Sequence, residues 1–205
     1  MLTNSFIKKF KGEHVNMKIK RNLFVLSLIT IISLVFTTGA LAADTKTNDV
    51  NITVQSGEFS VTTSDIRSFG DITLAATPET YVTSFENSFI TKDLRGTQEG
   101  WRLDVEASPF TSGTHTLPGG SLSIAPLESI ERVGTGFGDA PTISTNQNVV
   151  IDQGTVEIAK AVDGTGMGVF ELTFPNDALS LVVDATTAKV GTYQSTLTWT
   201  LVTAP

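Results

Sequence analysis

Asp104 and Glu106 stand two residues apart in Trp101-Arg102-Leu103-Asp104-Val105-Glu106-Ala107, and paired carboxylates at short spacing are candidates for acid–base work on a glycosidic bond. Glycosidase carboxylates flank the bond from opposite sides, about 5 to 9.5 Å apart, whereas i and i+2 neighbours on a strand point the same way. The pair therefore reads as a solvated acidic face. His115 is the single histidine after residue 42, in the loop-like stretch Ser112-Gly113-Thr114-His115-Thr116. No motif surrounds a serine nucleophile, so a catalytic triad is not expected. Gly134-Thr135-Gly136-Phe137-Gly138 and Gly164-Thr165-Gly166-Met167-Gly168 are rich in glycine but lack the Lys-Ser/Thr ending and helix start of a phosphate cradle. They read as turns or flexible surface loops. Asp139 and Asp163 beside them lack the alternating acidic run of a calcium loop. The expectation is a protein with no catalytic residue, no cofactor and no metal site, and not an enzyme.

The two tryptophans are more informative. Trp101-Arg102-Leu103 and Trp199-Thr200-Leu201 are both Trp-x-Leu in strand-like settings. With side chains alternating between faces, Trp101, Leu103, Val105 and Ala107 share one face and Arg102, Asp104 and Glu106 the other. In the second segment Tyr193, Ser195, Leu197, Trp199 and Leu201 share a face, opposite Gln194, Thr196, Thr198 and Thr200. Two roles fit the tryptophans. They are either platforms stacking on the apolar faces of sugar rings, or core anchors that act through burial. The uninterrupted apolar alternation favours the core.

The elements that position these residues are strands. From Val50 onward apolar residues recur with period two, and Val, Ile, Thr and Phe dominate the runs. The pattern predicts strands over 51–54, 58–62, 71–75, 88–91, 100–107, 121–124, 148–151, 155–159, 169–174, 179–183 and 192–202, with Gly, Pro, Asn and Asp between them. No amphipathic helix intervenes, so the expected fold is all-β, an antiparallel β-sandwich or barrel-like domain over residues 50–205.

Residues 1–42 differ from the remainder. Met17-Lys18-Ile19-Lys20-Arg21 precedes an apolar run from Leu23 to Phe36, and Ala40-Leu41-Ala42 then offers small residues to an export peptidase. This is the pattern of a secretory signal peptide cleaved after Ala42, with Met17 as an alternative start. Residues 43–49 read as a short disordered linker. The whole chain carries a formal charge of −7, but residues 43–205 hold 8 Lys or Arg against 20 Asp or Glu and carry −12. Nucleic acid and anionic lipid are bound largely through cations, so neither is expected as a partner. No later apolar run has membrane length, so the mature chain is expected to have no membrane span. The absence of cysteine excludes disulfides, thiolate chemistry and a lipidated cysteine.

The chain resembles the WxL domain family of Gram-positive cell-surface proteins. The proximal motif is Asp93-Leu94-Arg95-Gly96 followed by Gly100 to Val105 and then Ser108-Pro109-Phe110. The distal motif runs from Gly191 through Tyr193 and Trp199 to Leu201. The resemblance makes Trp101, Leu103, Tyr193, Trp199 and Leu201 the family-motif positions. It implies a secreted protein held non-covalently on the cell wall, with peptidoglycan as ligand. It also implies a competing role, docking on a membrane-anchored WxL-interacting protein in a surface complex. A charge of −12 gives no long-range attraction to the polyanionic polymers of a wall, so attachment must rest on local hydrogen bonds, stacking or bridging cations.

Overall fold

The structure, a computed structural model, describes residues 46–135 and 138–204. Ala42, Met17 and the rest of the expected signal peptide lie outside the described residues, as do Gly136 and Phe137 of the first glycine-rich stretch. Residues Asn51–Pro205 form one compact unit.

In chain order its strands are β1 (Phe59–Thr62), β2 (Glu79–Thr83), β3 (Phe89–Asp93), β4 (Trp101–Ala107), β5 (Thr111–Ser112), β6 (His115–Thr116), β7 (Leu122–Ile124), β8 (Ser129–Arg132), β9 (Thr142–Ile143), β10 (Val149–Val150), β11 (Val156–Ala161), β12 (Gly168–Thr173), β13 (Leu179–Val183) and β14 (Leu197–Thr203). They form three four-stranded sheets, ordered β1–β3–β12–β8, β10–β7–β13–β2 and β14–β4–β11–β9, and a β5–β6 ribbon. Every pairing is antiparallel. The fold is all-β and sandwich-like, and none of the three sheets closes into a barrel.

The strands form where alternation supplies a continuous apolar face. β4 buries Trp101, Leu103, Val105 and Ala107, β12 buries Phe170 and Leu172, and β13 buries Leu179 and Leu181. These faces meet in one core with Phe89, Ile124, Ile151 and Ile158. Burial of each such Val, Leu, Ile or Phe side chain contributes about 1.5–3 kcal/mol, so the central strands dominate the stability of the unit.

The sequence pattern and the structure part in several places. Residues 51–54 form no strand, and Ile52 and Val54 are 86% and 84% exposed. Residues 71–75 also form none. Conversely, β2, β8, β9 and the β5–β6 ribbon arise where no strand was predicted. His115 accordingly lies in a short hairpin rather than a loop. The distal strand starts at Leu197 rather than Thr192, with an isolated bridge from Gln194 to Thr111 before it.

Candidate functional site

The two Trp-x-Leu segments, about 100 residues apart in sequence, are neighbouring strands. β4 and β14 pair with Leu103 opposite Leu201, Val105 opposite Trp199, and Trp101 opposite Thr203. The leucines thus meet at the centre, while the antiparallel register sends the tryptophans toward opposite ends of the ladder. Four residues of strand at about 3.3 Å each separate their positions, roughly 13 Å. The arrangement is not a twin aromatic platform.

Trp101 is 1% exposed, with both ring faces inside the core. Its indole Nε1–H donates to the carbonyl of Gly166 at 2.9 Å. A Cβ on Gly166 would overlap the Ala161 methyl and lie 2.8 Å from Trp101 Nε1, and the backbone there has φ +71°. The second glycine-rich stretch is therefore not a free surface loop. Only glycine lets it close over the tryptophan, and its ends are held by Gly164 N–H to Gln98 O (2.7 Å) and by Arg132 Nη1 to Met167 O (2.8 Å).

Trp199 is half-buried and belongs to an aromatic cluster. Its ring centroid lies 4.8 Å from that of Phe89, 5.9 Å from Phe174 and 6.0 Å from Phe85. Phe85 and Phe174 are themselves 4.8 Å apart. Tyr193 is half-buried, accepts the Lys189 N–H at its hydroxyl (3.0 Å), and meets His115 edge-on at 6.0 Å. His115 Nε2 lies 2.7 Å from the Thr187 carbonyl; a carbonyl only accepts, so this nitrogen carries the proton.

The proximal motif contains a device whose role spacing alone did not disclose. Arg95 donates from Nε and Nη2 to the two carboxylate oxygens of Asp93, at 2.9 and 2.8 Å. Nη2 also reaches Gly100 O (2.9 Å), and Nη1 reaches Thr203 Oγ1 on the distal strand (2.6 Å). The guanidinium lies 3.7 Å above the Phe59 ring. The Asp93 side chain is 2% exposed, so the fork neutralises a buried charge and ties β3, β4, β14 and β1 at one point. The hydrogen bonding of the guanidinium to Asp93 is the main cause that raises the Arg95 pKa above its ordinary value. The available signal was an acid and a base two residues apart at a strand end.

The polar face of β4 is not uniformly solvated, which corrects the expectation for Asp104. Asp104 is 6% exposed because β4 is flanked by β14 and β11, and it accepts Arg102 Nε at 2.9 Å. Glu106 is exposed and accepts from Thr155 Oγ1 at 2.9 Å. Asp139 and Asp163 are exposed. Among the described residues no three His, Asp or Glu side chains are placed to share a cation.

Two clefts open on the described surface. One, of about 350 Å³, is bordered by Asp93, Arg132, Thr135 and Met167. The other, of about 390 Å³, lies where the chain crosses between two sheets. Its walls are the β2–β3 connection, with Phe85, Glu86, Asn87 and Ser88, and the β12–β13 turn, with Phe174 and Asn176. Arg67 and Glu171 complete it. Ser88 Oγ and Thr173 Oγ1, 3.1 Å apart, clasp the two connections. Beneath lies the aromatic cluster that Trp199 joins.

Among protein families, one whose model is described as a WxL domain, surface cell wall-binding, matches residues 38–205. No curated protein and no solved structure matches the chain.

Proposed function

Because the chain belongs to the WxL domain family, described as surface cell wall-binding, we propose that it is exported by a Gram-positive cell and holds to the wall non-covalently by binding peptidoglycan, without catalysis. The observation that carries this reading is the extent of the family match, which covers the whole compact unit. The β4 carboxylates also favour binding over hydrolysis, since Asp104 is occupied by Arg102 and Glu106 lies on the same strand face.

A second reading, docking on a membrane-anchored WxL-interacting partner, draws support from the edge strands β14 and β2, each paired on one side within its sheet. A partner strand can extend such an edge by main-chain hydrogen bonds.

Sedimentation with purified peptidoglycan separates the two. Retention of the pure protein in the pellet is the expected result; retention only when a membrane-anchored partner is added would overturn it in favour of docking. Wall-substrate zymography is expected to show no clearing, and a lytic band would refute the non-enzymatic reading.

A further inference from the structure

We propose that the cleft between the β2–β3 connection and the β12–β13 turn is the sugar-binding subsite, and that its ligand is a neutral glycan segment bearing hydroxyl and acetamido groups. This rests on the peptidoglycan reading and assigns it a place and a chemistry.

The first observation is hydrogen-bonding capacity. The Arg67 guanidinium, the Asn87 and Asn176 amides and the Glu86 carboxylate are exposed, and among the described residues their side chains take part in no hydrogen bond or ion pair. The other cleft differs on this point. There Arg132 is committed to Met167 O and Gly138 O and lies over the Phe170 ring, while Asp93 is held by Arg95. Sugar hydroxyls both donate and accept, and an acetamido group presents one carbonyl and one N–H. A wall of mixed donors, amides and carboxylates matches that inventory.

Charge then narrows the ligand. Arg67 shares the lining of the cleft with two carboxylates, Glu86 and Glu171, so the lining is net acidic. A polyphosphate chain would meet more repulsion than attraction, whereas a neutral glycan can accept from Arg67 and donate to the glutamates.

Rigidity is the third observation. Phe85 is 7% exposed and Phe174 half-buried, and both pack on Phe89 and Trp199. Phe174 gives the cleft an apolar surface for the C–H face of a ring. Trp199, a motif residue, acts from below as a positioning residue that fixes the two phenylalanines. The backbone is held by the Ile66–Phe85 bridge, and Thr83 Oγ1 donates to Arg67 O at 2.7 Å.

The test uses the full protein with two probes, purified peptidoglycan in sedimentation and a soluble N-acetylglucosamine tetramer in calorimetric titration. Arg67→Ala and Asn176→Ala change exposed side chains, so their melting is expected to match the parent protein. Loss of a hydrogen bond to a charged group predicts binding weaker by about tenfold to a hundredfold for Arg67→Ala. Trp199→Phe should weaken tetramer binding while Arg67 remains present. Glu106→Ala, on the β4 face, is the control and should bind as the parent does. Parent-like binding by both cleft variants would overturn the subsite and leave the peptidoglycan reading standing. Failure of the parent protein to bind peptidoglycan would remove both. Competition by inorganic polyphosphate that disappears in Arg67→Ala would overturn the neutral-glycan assignment.

Discussion

Gly164 and Gly166 lie two residues apart in one loop, both with positive φ (+81° and +71°), yet they should respond very differently to alanine. At Gly164 nothing lies within 4 Å of an added Cβ. Gly164→Ala should therefore cost only the left-handed backbone penalty, about 1–2 kcal/mol. At Gly166 the same penalty applies, but the methyl also overlaps Ala161 and crowds Trp101, each 1% exposed and without room to yield. If the loop lifts to relieve the overlap, the buried Trp101 N–H loses its acceptor, which adds about 1–3 kcal/mol. If it stays, overpacking adds a similar amount. Gly166→Ala should thus be worse than Gly164→Ala by about 1–3 kcal/mol. For a domain of this size that difference is about 2–12 °C in melting temperature. Urea and thermal unfolding of the two variants measure the gap directly. The indole N–H resonance of Trp101 provides a local readout, shifting in Gly166→Ala and staying in place in Gly164→Ala. Equal destabilisation of the two, within about 0.5 kcal/mol, would refute the claim that the loop is a fitted lid.

Arg95→Met strands the Asp93 carboxylate in the interior and should lower stability by about 3–5 kcal/mol, while Asp93→Asn combined with Arg95→Met should recover part of it; strict additivity of the two would argue against a coupled pair. The Asp184 carboxylate accepts from the Thr186 N–H and hydroxyl, both at 2.8 Å, and its pKa is lowered first by the backbone bond and then by the hydroxyl. A depressed carboxylate contributes stability that is present above the ordinary carboxylate range and lost only as pH falls through the lower folded value. Titration by NMR should place its midpoint below the ordinary value, and Thr186→Ala should move it upward; an unmoved midpoint would remove the hydroxyl as a cause. Binding to whole walls should strengthen as pH falls toward the carboxylate range or as divalent cations are added, because residues 43–205, at −12, are then less repelled by wall polyanions. A profile flat in both would dismiss electrostatic repulsion as a factor.

Sequence periodicity located the strands that carry the core and was least informative at the sheet edges. β13 appears at its predicted bounds, and β4 and β12 within one residue, because each has a full apolar face and a partner on both sides. β8 (Ser129-Ile130-Glu131-Arg132) and β2 expose too few apolar residues for alternation to register, and form because neighbours already present a ladder. Residues 51–54 show the reverse: a strand-like pattern without a partner stays unpaired. The same reasoning applies to the site. The motif residues could be read from the sequence, but their pairing could not, since nothing local encodes which distant strand β4 will meet. Nor does spacing reveal that Arg95 reaches Thr203, or that residues 85–88 meet Phe174 and Asn176 at one cleft. Asp104 was misjudged because its exposure depends on the strands to either side of it.

The Leu103–Leu201 register also has a consequence for chain length. Pairing these strands closes a loop of about 90 residues, and the entropy of closing a loop grows only with the logarithm of its length. Doubling the intervening chain would add only about 0.6 kcal/mol. A one-residue slip within β14, by contrast, would turn Trp199 and Leu201 out to solvent and bring threonines to the core. The number of residues between the motifs is therefore a loose variable that can absorb insertions at surface turns, and the phase of each strand is a strict one. Two chains of this architecture can differ widely in length between their tryptophans and still build the same ladder, provided that each motif keeps its parity.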